Sequence, residues 1–237
     1  MTVDAERMKL VLFDIDGTIL LSDGAGRRAI HRALTEFFGC TGPADYRFDG
    51  KTDRQIVRDL MRLEGHGDEH IDARMVPLLA RYVECLDGEL GMEGYSSRLL
   101  DGVEALLTAL ESRDDVILGL LTGNVEPGAR AKLRAVGLDP DRFTVGAFGS
   151  DHEHRPELPA IAQQRARDEL GIDVPGADIV VIGDTPADIE CARGVAARAI
   201  GVATGRYEVD ELHGHGAAAV FQDLTDTEAV VRAIIDA

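Results

Sequence analysis

The chain has 237 residues, 45% of them hydrophobic, enough for one large domain or a core domain carrying a smaller one. A formal net charge of −18 excludes general nucleic-acid binding, which needs a basic face, and no apolar run approaches the length of a membrane span. Three scattered cysteines (Cys40, Cys85, Cys191) without a CxxC pair, and an N-terminus (residues 1–6) lacking a basic start and apolar centre, point to a cytoplasmic protein with reduced thiols.

In chain order, the first predicted element is the apolar run Leu10-Val11-Leu12-Phe13, followed directly by Asp14-Ile15-Asp16-Gly17-Thr18. Residues 25–38, 53–63 and 71–86 then show helical periodicity with no convincing strand among them. A stripe of Leu99, Val103, Leu106, Leu107 and Leu110 predicts a helix, and residues 116–121 a strand ending in Thr122-Gly123-Asn124. A helix over 129–136 stops at Gly137, a weaker strand spans 143–148, and a helix over 158–170 stops at Gly171. Residues 179–182 form a third apolar strand, followed by Gly183-Asp184-Thr185-Pro186-Ala187-Asp188. A strand at 199–202, a mobile loop at His213-Gly214-His215-Gly216, an edge strand at Val220-Phe221 and a helix at 227–235 close the chain. Alternating strands and helices imply right-handed crossovers and an α/β fold with a doubly wound, Rossmann-like parallel sheet. The helical stretch is too long for a crossover loop. It predicts an all-helical domain, residues 21–98, inserted into a core made of residues 1–20 and 99–237.

Asp14 and Asp16 lie two residues apart at the exit of a buried strand, where open α/β sheets bind ligands. Clustered charge there is costly unless a cation or a reaction uses it. A calcium loop is a poor match, because its sixth position needs Gly and Ile19 stands there. Asp184 repeats the arrangement after another strand, and Pro186 starts a helix with Asp188 in its first turn. Acids converging from two strand ends make an oxygen-rich site suited to Mg²⁺. Thr122, Gly123 and Asn124 offer side-chain and backbone donors for a phosphoryl oxygen.

Three other patterns carry less. Asp151-His152-Glu153-His154 has zinc-ligand residue types but no partner elsewhere, so it reads as a polar loop, with Asp151 a candidate for orienting Arg155. Gly24-Ala25-Gly26-Arg27-Arg28-Ala29 fits a dinucleotide fingerprint by letter but comes too late after the strand. Phe48-Asp49-Gly50-Lys51-Thr52-Asp53-Arg54 is a glycine turn followed by a helix start and two cations.

The ordered set strand–DxDGT, strand–TGN, strand–GDTPxD resembles the haloacid dehalogenase superfamily. The likeness is to its phosphatases with a helical C1-type cap, in the phosphoglycolate phosphatase and β-phosphoglucomutase branch. That resemblance implies Asp14 as nucleophile forming an aspartyl-phosphate, Asp16 as general acid/base, and Thr122 as phosphoryl-binding hydroxyl, with Gly123 and Asn124 beside it. Asp184 and Asp188, with Asp14 and the backbone carbonyl of Asp16, would hold Mg²⁺. The family's third motif usually supplies a Lys before Pro, and His154-Arg155-Pro156 stands there. Arg155 is preferred for that cation over Lys132, which falls within a helix whose exposed face would suit a Lys. Lys51 and Arg54, in the inserted domain, would bind an anionic or hydroxylated part of the substrate, with Arg27-Arg28 a weaker candidate. The implied protein is a Mg²⁺-dependent hydrolase of a small phosphorylated metabolite, monomeric or homodimeric. A phosphomutase on the same scaffold and a non-catalytic metabolite sensor are the alternatives.

Overall fold

Every residue of β1 (Lys9–Phe13) is buried, which is what a strand covered on both faces requires. The computed structural model describes residues 8–94 and 96–236, so the N-terminal expectation for residues 1–6 lies outside it. β1 sits at the centre of a six-stranded sheet with β4 (Val116–Thr122) on one side and β6 (Ile179–Gly183) on the other. β5 (Val145–Phe148) lies beyond β4, and β7 (Arg198–Val202) and β8 (Ala219–Phe221) beyond β6. All these pairings are parallel, as the sequence predicts.

Alternation along the strands feeds two apolar layers. Val11 and Phe13 join Leu118, Leu120, Val180 and Ile182 on one face. That face is covered by α4 (Val103–Glu111), α5 (Glu126–Ala135) and α9 (Thr227–Ile235). Leu10 and Leu12 join Ile117, Leu121, Ile179 and Val181 on the other. There the cover is α6 (Leu158–Leu170), α7 (Pro186–Cys191) and α8 (Val209–Gly214). Truncating a fully buried leucine such as Leu12 to Ala would cost about 2–5 kcal/mol.

Three helices separate β1 from α4: α1 (Ala25–Phe38), α2 (Asp53–Leu63) and α3 (Asp68–Leu90). They pack on each other around Ile30, Leu34, Ile56, Leu60, Leu78 and Tyr82, an apolar cluster of their own that also takes in Val125 of the sheet layer. Among the described residues no helix is long and apolar enough to cross a membrane.

The structure departs from the sequence expectation in two places, and a third expectation falls partly outside the described residues. Leu99 is not helical. It pairs with Leu20 in a two-stranded antiparallel ribbon, β2 (Leu20–Leu21) with β3 (Arg98–Leu99), where the insertion leaves and rejoins the core. The helix starts later because Gly102 takes a left-handed φ of 83° and an added Cβ would lie 2.1 Å from the Leu224 carbonyl carbon. The predicted exit near residues 95–97 includes Tyr95, outside the described residues. Finally, His213 and Gly214 end α8 rather than sit in a mobile loop. A capping box between Glu208 and Glu211 starts that helix, and the His215 ring lies 2.9 Å from the Glu190 carboxylate.

Candidate active site

Strand order places the carboxyl ends of β4, β1 and β6 side by side, and the first residues past β1 and β6 are Asp14 and Asp184, with Thr122 closing β4. The Asp14 N–H still donates to the Ile182 carbonyl at 2.9 Å, so its side chain leaves the sheet at a fixed point. Asp188 comes from the first turn of α7. One of its oxygens accepts from the Thr185 hydroxyl at 2.6 Å and the Thr185 N–H at 3.0 Å, closing a capping box. Its other oxygen is bonded by the Arg155 guanidinium. Asp188 is thus both a helix-capping acid and a member of the site.

Carboxylate oxygens of Asp14, Asp184 and Asp188, all buried, lie within 4.8 Å of one another. Arg155 Nη2 donates to Asp14 Oδ1 at 2.9 Å and to the Leu121 carbonyl at 3.3 Å. Burial raises Asp14 to about 6, with the charges of Asp188 and Asp16 adding and Arg155 opposing. Asp184 is driven well above the usual carboxylate range by burial and by the charges of Asp188 and Asp14. Three acids against one guanidinium leave two negative charges uncompensated when all are ionised. An all-oxygen donor set with that charge fits a hard divalent cation.

Asp16 turns away from this cluster. Its Oδ2 accepts from Lys132 Nζ at 2.6 Å and from Asn124 Nδ2 at 2.8 Å, while Oδ1, among the described residues, meets only the Ser22 hydroxyl, at 3.4 Å. Burial would raise its pKa, but Lys132 outweighs this and holds it below the ordinary value. Asn124 also donates to Thr122 Oγ1 at 2.8 Å and accepts from Lys132 at 2.7 Å. The expectation that Lys132 lies on an exposed helix face is therefore wrong: it is 4% exposed, on the stripe of Gly128, Ala129 and Leu133 that packs inward. Arg155 and Lys132 are both site cations, one on each acid of the first motif.

The insertion closes over these groups. Asp53 N–H donates to the Gly123 carbonyl at 2.8 Å, and Asp53 Oδ2 accepts from the Val125 N–H at 2.8 Å. Thr52 Oγ1 donates to the Glu153 carbonyl at 2.7 Å, and Arg58 pairs with the Glu153 carboxylate at 2.6 Å. A Cβ on Gly123 would stand 2.0 Å from the Lys51 carbonyl oxygen, so only glycine permits this approach. The partly open cavity is about 280 Å³ and is lined by Asp14, Asp16, Thr122, Asn124 and Asp184, with Lys51, Asp53, Phe48 and Arg27 from the insertion.

Lys51 lines this cavity, but its ammonium is committed to Asp59 at 3.1 Å and to the Tyr46 hydroxyl. Arg54 does not line it. Asp151 pairs with Arg165 at 2.8 Å rather than orienting Arg155. Glu153 is taken by Arg58, Asp151 by Arg165, and His152 Nδ1 accepts the His154 N–H at 3.1 Å, and no metal-holding cluster forms there among the described residues. Sequence reasoning missed Asp53 as a buried group. The signal was its register, three residues ahead of Ile56 and four ahead of Val57 on the apolar stripe of α2.

A family model described as haloacid dehalogenase-like hydrolase matches residues 11–193, a span holding every acid of the site. The chain belongs to the haloacid dehalogenase-like hydrolases. Solved structures of similar fold include a hydrolase from Pseudomonas syringae, 23% identical with a TM-score of 0.72, covering 96% of this chain and 99% of that one. A predicted phosphoglycolate phosphatase from Haemophilus somnus is 20% identical with a TM-score of 0.67, covering 94% and 98%. CbbY from Rhodobacter sphaeroides in complex with phosphate is 22% identical with a TM-score of 0.62, covering 92% and 96%. No curated protein sequence matches significantly.

Proposed function

We propose that this haloacid dehalogenase-like hydrolase is a Mg²⁺-dependent phosphatase of a small phosphorylated metabolite, working through an aspartyl-phosphate on Asp14. The observation that carries this is Asp14 itself: a buried carboxylate at a strand exit, held by Arg155 within a cluster of acids and facing the cavity. The phosphate bound in the CbbY structure of the same fold is in keeping with it.

Asp14, Asp184 and Asp188 would hold the Mg²⁺, which when bound neutralises acid and phosphoryl charge and orients the phosphoryl group. Asp14 attacks phosphorus in line, and the leaving oxygen departs with the electron pair of its P–O bond and takes a proton from Asp16. Asp16 is ionised in the free chain and acquires that proton from solvent as the anionic ester enters beside it. Asp16, then ionised, accepts a proton from the water that hydrolyses the phosphoenzyme. Arg155 balances charge on Asp14 and on the phosphoryl oxygens. The Thr122 hydroxyl and the backbone around Gly123 supply further donors. Residues 21–98 serve as a cap that excludes water from the first step and admits it for the second. Of the two cap cations, Lys51 lines the cavity with its ammonium held by Asp59 and Tyr46, while Arg54 lies outside the lining and has no part in recognition.

Hydrolysis of 4-nitrophenyl phosphate with and without Mg²⁺ tests this. Turnover is expected only with the ion. Asp14→Asn should lower it by about 10³-fold or more and yield no acid-stable phosphoenzyme, because an amide is a poor nucleophile. Labelled phosphate recovered on that variant, or no turnover on a broad panel of phosphate esters, would overturn the proposal.

A further inference from the structure

Lys132 sits on the inward stripe of α5, where stripping water from an ammonium is costly unless polar partners offset it. Its charge also reaches the buried Asp53. It is not needed as the third-motif cation, since Arg155 already lies on Asp14 and Asp188. What Lys132 does touch is Asp16, at 2.6 Å, and the side-chain oxygen of Asn124, at 2.7 Å. Asn124 in turn donates to the same Asp16 oxygen and to Thr122. These bonds form a closed triangle around Asp16 Oδ2. They leave Oδ1 with only the long contact to Ser22 and therefore available for proton transfer. Without the ammonium, the buried Asn124 oxygen loses its donor and Asp16 Oδ2 keeps only the Asn124 amide, so the Asp16 side chain, 42% exposed, is held by one anchor instead of two. The insertion covers the Lys from above: Gly26 of α1 stands so close that a Cβ there would be 3.4 Å from Nζ and 3.7 Å from the Tyr82 hydroxyl.

We infer that Lys132 is a positioning residue for the acid/base, holding Asp16 with one oxygen anchored and the other aimed at the leaving group of the substrate. The inference rests on the phosphatase reading and gives Lys132, weighed in the sequence only as an alternative third-motif cation, a role on the other acid of the first motif. In the step concerned, Asp14 forms a new P–O bond, the bond to the leaving oxygen breaks with its electron pair passing to that oxygen, and the proton comes from Asp16. A leaving group that is stable as an anion needs no such proton. The cost of misplacing Asp16 must therefore grow with the basicity of the leaving oxygen.

The test is a series of substituted phenyl phosphates, from dinitrophenyl to unsubstituted phenyl, turned over by wild type, Lys132→Met, Asp16→Asn and the double variant in saturating Mg²⁺. Lys132→Met is expected to lower kcat about 10²-fold for phenyl phosphate and less than about threefold for the dinitrophenyl ester, with KM within about threefold throughout. In the Asp16→Asn background the same substitution should cost less than about threefold, because it acts through the group already removed. A uniform loss along the series, or a full additional loss in the double variant, overturns the inference and leaves the phosphatase reading standing. A wild type inactive on the whole series overturns both. Lys132→Gln, which keeps a donor without the charge, supplies the same comparison should the Met variant fail to melt cooperatively.

Discussion

Asp53 is a buried carboxylate, only 7% exposed. Burial lifts it from the ordinary 3.8 to about 6, against the pull of the Lys132 charge and the Val125 N–H that it accepts. Between those two values the folded chain holds a proton that the unfolded chain has released. Stability contributed by this group is therefore complete below about pH 4 and is lost as pH rises toward 6. A shift of about two units corresponds to about 3 kcal/mol, taken as an upper bound for so tightly packed a group. Asp53→Asn keeps an oxygen for the Val125 N–H and removes the charge. In urea unfolding without divalent ions, the variant should gain about 1–2 kcal/mol over wild type on going from pH 4 to pH 7.5. An unchanged difference between the two proteins at both pH values would show that Asp53 does not titrate in this window. Its buried status was legible only as a phase relation, an acid in step with Ile56, Val57, Leu60 and Met61 on one helix face, because an acid at a helix start is more often solvated.

Elements were legible where one local rule governs them, and less so where two distant segments decide. The strands β1, β4 and β6 are continuous apolar runs because both faces are covered, and such a run is visible in any window that spans it. The β2–β3 ribbon is invisible, since two residues on each side carry no period and pair only because the insertion brings its ends together. Lys132 shows the same limit within a helix. Its stripe partners Gly128 and Ala129 are too small to mark the buried face, so a Lys there reads as exposed. The junction of the insertion with the core hangs on a close approach of backbones at Gly123. Gly123→Ala sets a Cβ 2.0 Å from the Lys51 carbonyl oxygen and 3.0 Å from the Thr52 Cα, and backbone cannot turn aside as a side chain can. The loop carrying Lys51 must lift, and KM for a phosphate ester should rise about tenfold. Gly137→Ala is the control: its φ of 77° is strained for alanine but an added Cβ meets nothing within 4 Å. It should cost about 1 kcal/mol of stability and leave KM alone. Equal KM for the two variants would show that the approach at Gly123 does not shape the cavity.

At the scale of the whole molecule, a chain of net charge −18 folds so as to bring the buried Asp14, Asp184 and Asp188 together beside a single guanidinium. The order of motifs made this convergence legible, because parallel strands place their carboxyl ends on one edge. The docking of the insertion was not legible. It depends on Thr52, Asp53 and Arg58 meeting Gly123, Val125 and Glu153 across long sequence separations, with no pattern in any single segment. Gathering like charges destabilises the folded chain unless a cation enters, so stability and function oppose each other at this point. Asp184→Asn removes one of the clustered charges while preserving shape. In chelator it should therefore melt higher than wild type, by the equivalent of about 1–3 kcal/mol. Added Mg²⁺ reverses the order: at a hundredfold excess over its dissociation constant the ion stabilises wild type by about 2.7 kcal/mol, and the variant, short of one acid, responds far less. Thermal melts of both proteins in chelator and in increasing Mg²⁺ decide it. A wild type whose melting temperature ignores Mg²⁺, or a variant that follows it equally, would mean that the acids are held together by something other than a divalent ion.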